Sequence, residues 1–260
     1  MKLTIALLFM TQSYSIFATG VIAHRGASGY APENTIAAIL KAIDLGADYV
    51  EIDVHMTADR KIVVFHDEGL ERTTNGNGKI HNKTLLHLST LDAGSWYDKK
   101  FAAEKIPTLE NILLLDFKKT NLIIEVKNTN NIYNNIEKQI VEIVKESNFN
   151  NHLVYKSFGT EVLLRFKELD PKRDLLYVTI GPVLNFLVID DGLRIGSLFE
   201  FDYIKYIQVH RLFMSKSLVK KAHKLNKKII VWDVQKKSDI KKMKELGVDF
   251  IETDFPDYVK

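Results

Sequence analysis

Short apolar runs punctuate the chain, and amphipathic stretches lie between them. The runs fall at Gly20–Ala23, Tyr49–Val54, Asn121–Val126, Leu153–Ser157, Asp174–Thr179, Tyr206–Val209, Lys228–Val234 and Phe250–Glu252. They are too short for buried helices and read as strands covered on both faces. Between them, Thr35–Leu45, Ile132–Lys145, Val162–Leu169, Leu218–Leu225 and Ile240–Leu246 repeat apolar residues every three or four positions. That is the spacing of a helix with one buried face. Asn34 and Ser238 are placed to cap the first and last of these helices, and Gly46 and Gly247 to end them. Eight strands alternating with helices predict an α/β chain, a (β/α)₈ TIM barrel closed by a parallel sheet.

One interval breaks the rhythm. After the second strand comes a hairpin-like run at Ile62–Phe65, then the turn-rich Asn75-Gly76-Asn77-Gly78 and the aromatic pair Trp96-Tyr97. This predicts a small insertion over about residues 67–106 within a single barrel domain spanning 20–260, its aromatics placed to roof a pocket.

The chemistry gathers where strands end. Val21-Ile22-Ala23 runs into His24-Arg25-Gly26, and a loop broken by Gly29 and Pro32 follows before Asn34-Thr35. Side chains two apart on a strand share a face, so Glu51 with Asp53, and Glu125 with Lys127, point the same way. His66 also follows a strand. Barrel enzymes place their active sites at the C-terminal ends of their strands, so four segments aim polar residues at one mouth. Three converging carboxylates repel unless a cation lies among them, and an all-oxygen donor set favours Mg²⁺ or Ca²⁺ over zinc. Such an ion polarises a phosphoryl oxygen, Arg25 and Lys127 neutralise further charge, and two histidines can serve as general base and general acid. His55, two positions past Asp53, is a further candidate to line the site. His81, His87, His152, His210 and His223 read as surface or structural, and Asp67 and Glu71 as loop-stabilising. Trp232, at a strand end, reads as a pocket wall or a core residue.

Composition narrows the partners. The chain has no cysteine, which excludes disulfides, thiolate zinc sites and cysteine nucleophiles. The formal net charge is only +3, and the lysines of the C-terminal third fall on predicted helix faces, so no nucleic-acid partner is indicated. No apolar run is long enough for a transmembrane segment. The oligomeric state is not readable from these patterns.

The motifs carry a resemblance. Ala23-His24-Arg25-Gly26 with Pro32-Glu33-Asn34-Thr35, Glu51-Ile52-Asp53-Val54, Val64-Phe65-His66-Asp67, Arg72-Thr73-Thr74-Asn75-Gly76 and Ile124-Glu125-Val126-Lys127 stand in order. With Leu91–Trp96, Ile106–Leu109, Val231-Trp232 and Thr253-Asp254-Phe255-Pro256, the chain resembles the glycerophosphodiester phosphodiesterase family over nearly everything after its first residues. The resemblance implies hydrolysis of small-molecule glycerophosphodiesters to glycerol 3-phosphate and an alcohol. It implies Glu51, Asp53 and Glu125 as metal ligands, His24 and His66 as the acid–base pair, and Arg25 and Lys127 as the phosphate-binding residues. Two departures stand out: Trp232-Asp233-Val234-Gln235 replaces the family's usual Trp-Thr-Val-Asn, and Phe250 follows Asp249 where a glycine is usual. Both are expected at the mouth, where they bear on substrate preference. Lysophospholipase D or sphingomyelinase-D-like activity on lipids is the alternative within enzymes, disfavoured for the disulfide-bearing lipid-directed toxins by the missing cysteines. A non-catalytic phosphodiester-binding protein is the alternative outside them, and it has no need of both histidines.

The first nineteen residues stand apart. Met1-Lys2, the mostly apolar Leu3–Met10 and the small Ala18 resemble a short secretory signal peptide, which places the protein outside the cytoplasm, secreted or periplasmic. The alternative, a cytoplasmic protein, makes the same segment a helix capping the barrel bottom. N-terminal sequencing of protein from its native host separates them: a mature chain starting near Thr19 or Gly20 is expected, and an intact Met1 in the soluble cytoplasmic fraction overturns the leader.

Overall fold

The computed structural model describes residues 19–184, 187–189 and 193–260, so the expected signal peptide lies, but for Thr19, outside the described residues. Eight strands form the barrel and four more decorate it. In chain order the strands are β1 (Gly20–Ala23), β2 (Tyr49–Met56), β3 (Ile62–Val64), β4 (Asn121–Val126), β5 (Leu153–Ser157), β6 (Asp174–Thr179), β7 (Gly181–Leu184), β8 (Leu187–Ile189), β9 (Leu193–Ile195), β10 (Tyr206–His210), β11 (Lys228–Trp232) and β12 (Phe250–Thr253). The sheet runs β1-β12-β11-β10-β6-β5-β4-β2, all parallel, and β1 pairs with β2 to close it. β3 folds back antiparallel on the end of β2, as the hairpin-like run predicts.

The helices α1 (Ile36–Asp44), α2 (Leu85–Thr90), α3 (Leu109–Leu113), α4 (Ile136–Glu146), α5 (Thr160–Leu169), α6 (Lys216–Lys224) and α7 (Lys237–Leu246) connect them. Thr35, not Asn34, caps α1, its hydroxyl accepting the Ala38 amide, because Asn34 is turned inward at φ 58° to another task. Ser238 lies inside α7, whose N-cap is Lys236 without a side-chain bond. Gly247 ends α7 in the left-handed conformation. α4 starts at Ile136, because Asn128 pins the preceding loop by bonds to the Tyr133 backbone and to Glu137. The alternation of strand and helix lapses once: between β6 and β10 stands the antiparallel three-stranded sheet β7–β9.

Two apolar shells hold the barrel. The outer one lies between strands and helices, where Ile39, Leu122, Ile140, Phe166 and Ile251 are fully buried. The inner one alternates down the strands. Tyr49, Val154, Tyr206 and Phe250, from alternate strands, close the bottom; Ile22, Ile123, Leu176 and Ile230, from the other four, lie above. Phe250 therefore does not reach the mouth. As the first residue of β12 its ring plugs the barrel bottom, edge-on to Tyr49 at 5.5 Å and packed over Gly20, where an added Cβ would lie 2.5 Å from it. The 67–106 segment carries a small core of its own, with Leu70, Ile80, Leu88 and Ala93 packed on Val63 and Phe65.

Gly26 fixes the first βα loop. Its φ is +82°, and a Cβ there would lie 2.6 Å from the Ala38 carbonyl carbon in α1. Both the left-handed backbone and the contact with helix backbone exclude a side chain. Gly26→Ala is expected to destabilise the protein by about 2 kcal/mol or more, read as a lowered urea midpoint; an unchanged midpoint would show that the loop is free to move.

Candidate active site

The polar half of the barrel interior begins one layer above Ile22 and Ile123. Glu51, Lys156, Gln208 and Glu252 come from alternate strands, and all are buried. Above them His24, Glu125, Val178 and Trp232 come from the other four strand ends, and Asp53 and Asp254 follow at the rim. One oxygen each of Glu51, Asp53 and Glu125 lies within 4.8 Å of the others. The three carboxylates singled out in the sequence are thus brought together, buried, in an arrangement that can hold a metal ion.

Each carboxylate is held from a different direction. Glu51 accepts the Arg25 backbone N–H at 3.0 Å through Oε2 and Lys156 Nζ at 3.0 Å through Oε1. Asp53 accepts Asn34 Nδ2 at 2.9 Å, and Asn34 Oδ1 in turn accepts the Asp53 amide at 3.1 Å. That reciprocal pair is why Asn34 is unavailable as a helix cap. Lys127 Nζ reaches Asp53 Oδ1 at 2.9 Å and pairs with Glu125. Lys156 Nζ also reaches Glu125 Oε2 at 3.0 Å. The fields differ accordingly. Burial and the neighbouring Asp53 and Glu252 push the Glu51 carboxyl up to about 7 despite Lys156. Burial also works against Glu125 and Asp53, but Lys127 with Lys156 holds Glu125 at about 2, and Lys127, His66 and Arg25 hold Asp53 well below its ordinary value.

The two histidines each carry an aspartate. His24 Nδ1 lies 2.8 Å from Asp254 Oδ1, and His66 Nδ1 lies 2.6 Å from Asp67 Oδ1. An Nδ1–H to a carboxylate fixes the ring and turns Nε2 toward the site, where that of His24 accepts from the Arg25 guanidinium. Burial and Arg25 oppose a proton on His24, yet Asp254, Glu252 and Glu51 outweigh them and raise its pKa; burial lowers that of His66. Arg25 stands at φ 55°, a cost accepted where its amide must meet Glu51. Its guanidinium donates to Glu33 at 2.7 Å and to His24 Nε2 at 3.1 Å and lies 3.4 Å from Asp53. Arg72 binds both Glu33 and Asp67, tying the first loop to the insertion.

A cavity of about 270 Å³ opens beside this cluster, lined by His66, Glu125, Lys127, Glu68 and Phe158. Trp232 does not line it. The indole donates to the Thr179 carbonyl at 3.0 Å and packs edge-on against Phe158 and His210, backing the cavity wall. Trp96 and Tyr97 do not line this cavity; Trp96 bonds the Ala93 carbonyl, and Tyr97 lies within electrostatic reach of Asp254. His210, read as surface or structural, sits at the mouth beside Trp232 and 3.6 Å from Asp233. Gln235 accepts the Asp254 amide at 2.9 Å, so this departure from the family pattern supports the partner of His24. Sequence reasoning gave no site role to Lys156, Glu252 or Asp254, and read Asn34 as a helix cap. Lys156 was visible as a lysine inside the strand run Leu153–Ser157, on the alternation that faces the barrel interior.

A parallel barrel with a buried acidic group and paired histidines at its C-terminal mouth falls in the class of barrel hydrolases. Residues 24–258 match the glycerophosphoryl diester phosphodiesterase family. A glycerophosphodiester phosphodiesterase of Caldanaerobacter subterraneus subsp. tengcongensis is 38% identical, covering 92% of this chain and 95% of that protein. YhdW of Bacillus subtilis is also 38% identical, covering 92% of this chain and 96% of YhdW. Among solved structures, an Oleispira antarctica phosphodiesterase in complex with the product sn-glycerol-3-phosphate superposes with a TM-score of 0.84 at 29% identity, covering 94% of this chain and 96% of that one. The chain belongs to the glycerophosphoryl diester phosphodiesterase family and is a phosphoric diester hydrolase.

His55 lines the cavity but is a strut. Its Nε2 lies 2.9 Å from the His66 carbonyl and its Nδ1 2.7 Å from the Tyr133 hydroxyl, so Nε2–H donates and Nδ1 accepts. Burial pushes its pKa down to about 4. Between about 6.5 and 4 the unfolded chain takes up a proton that the fold does not, so acidification through that window costs up to about 3 kcal/mol, regained in full above it. Glu51, with its raised carboxyl, contributes the opposite slope in wild type and variant alike. In urea titrations of ion-free protein, His55→Gln is expected to lose stability less steeply than wild type between pH 6.5 and 4; parallel curves would contradict a buried neutral imidazole.

Proposed function

We propose that the protein hydrolyses glycerophosphodiesters to glycerol 3-phosphate and an alcohol, with a divalent cation at the acidic triad and His24 and His66 as the general acid–base pair. The observation that carries this reading is the convergence of Glu51, Asp53 and Glu125 between two aspartate-backed histidines. The product bound to the Oleispira antarctica relative supports the substrate class.

Glu51, Asp53 and Glu125 fit a hard cation such as Mg²⁺ or Ca²⁺, because they offer only oxygen and share a space bounded by buried side chains. Bound there, the ion lends Lewis acidity to a phosphoryl oxygen. The chain's own groups do the rest. Arg25 and Lys127 bring positive charge to the phosphate, each already turned toward Asp53. One histidine takes a proton from the attacking oxygen, and the other gives one to the alcohol oxygen as its bond to phosphorus breaks. Asp254 and Asp67 keep both rings oriented through Nδ1 and stabilise their charged forms. The cavity beside His66 gives the alcohol portion a place to sit. We also propose that the leader directs the enzyme out of the cytoplasm.

A chelator is expected to abolish hydrolysis of glycerophosphocholine, and Mg²⁺ or Ca²⁺ to restore it; full activity in EDTA by protein free of metal removes the ion from the reaction. A parallel assay on lysophosphatidylcholine tests the lipid alternative. His24→Ala and His66→Ala are each expected to lower turnover by about 10²–10⁴-fold while the protein stays folded. The histidine that protonates the leaving oxygen is expected to matter less on a nitrophenyl phosphodiester, whose alcohol is already a good leaving group, and the other to matter equally on both. Near wild-type rates for both variants would favour the non-catalytic binder.

A further inference from the structure

Lys156 is a buried cation inside the barrel that the proposed reaction does not use. It is only 2% exposed, and its ammonium touches three carboxylates: Glu51 and Glu125 at 3.0 Å each, and Glu252 at 3.0 and 3.2 Å. Its hydrogen bonds run to Glu51 and to both oxygens of Glu252, and Glu125 adds an ion pair. The layer in which it stands belongs to the barrel's packed interior, which is apolar one layer below. A polar layer is costly there unless each charge is compensated. Gln208, in the same layer, has neither side-chain atom hydrogen-bonded among the described residues. This level of the barrel is thus organised around the Lys156 charge and not around packing.

Glu252 and the other two carboxylates hold different positions. Glu51 and Glu125 belong, with Asp53, to the group whose oxygens converge within 4.8 Å; Glu252 does not. Lys156 therefore binds two ion-ligand residues on one side and a carboxylate outside the triad on the other. We propose that Lys156, anchored by Glu252, is a built-in cation of the acidic site that holds Glu51 and Glu125 in place before a divalent ion arrives and lowers the site's affinity for that ion. The inference rests on the reading of the triad as a metal site. Its physics is the repulsion between a fixed ammonium and an incoming divalent charge a few ångströms away, largely unscreened because both are buried. Lys156 reaches neither the cavity lining nor its rim, so it is a positioning residue and not a catalytic one.

The test replaces the pair by groups without charge in the full-length protein. Lys156→Met with Glu252→Leu removes both charges at similar volume, and Lys156→Gln with Glu252→Gln keeps hydrogen-bonding groups in place should the apolar pair not fold. Protein stripped of ions is titrated calorimetrically with Mg²⁺ and with Ca²⁺, and its melting temperature is recorded with and without each ion. Ion binding at least tenfold tighter than wild type, with a larger ion-induced rise in melting temperature, is the expected result. Unchanged affinity, whatever the shift in ion-free melting temperature, reduces Lys156 to a structural group and overturns the proposal. Weaker binding overturns it as well, since the ammonium would then assist the ion. Wild-type protein that binds neither ion calorimetrically removes the triad as a metal site and the proposal with it.

Discussion

Negative charge buried inside the barrel is the constraint on which the rest of the site depends. Glu51, Asp53, Glu125 and Glu252 are all nearly inaccessible, and each carboxylate without a partner would cost several kcal/mol. The fold answers with Lys156 below and Lys127 above, and with Arg25 at the side. Neighbouring elements then serve this charge cluster. The first βα loop takes a left-handed turn at Arg25 and Gly26 so that a backbone amide reaches Glu51. Asn34 leaves its place as a cap to bond both the side chain and the amide of Asp53.

The same electrostatics link structure to chemistry. A carboxylate near 7, beside one held at about 2 and another held well below its ordinary range, is the member of the group that a divalent cation relieves most. The histidines flank this cluster with opposite shifts, His24 up and His66 down: burial and Arg25 oppose a proton on both, but Asp254, Glu252 and Glu51 outweigh them at His24, while Lys127 adds to them at His66. Separation of two imidazole pKa values in one site is what an acid–base pair requires.

Much of this was legible in the chain. Strand positions followed from apolar runs, because strands buried on both faces need unbroken hydrocarbon. The period of two put Glu51 with Asp53 and Glu125 with Lys127 on shared faces, and the structure brings them together. What escaped was set by tertiary context. The β7–β9 sheet replaces a helix where apolar runs separated by Gly and Asn give no helical period. Phe250 looked like a mouth residue because its neighbours belong to a mouth motif, but its place at the start of β12 sends it to the bottom. Lys156 and Glu252 are far apart in sequence, and no local pattern announces an ion pair that forms only when the barrel closes.

The central claim is that the mouth carboxylates form a cation seat kept assembled by the protein's own ammonium groups. Diffraction from crystals equilibrated with Mn²⁺, collected at the manganese absorption edge, tests it most directly. The account predicts one anomalous peak contacted by Glu51, Asp53 and Glu125, with Lys156 still bound to Glu252. A peak elsewhere, or a triad that takes up no ion while the protein hydrolyses its substrate in the same buffer, would contradict it.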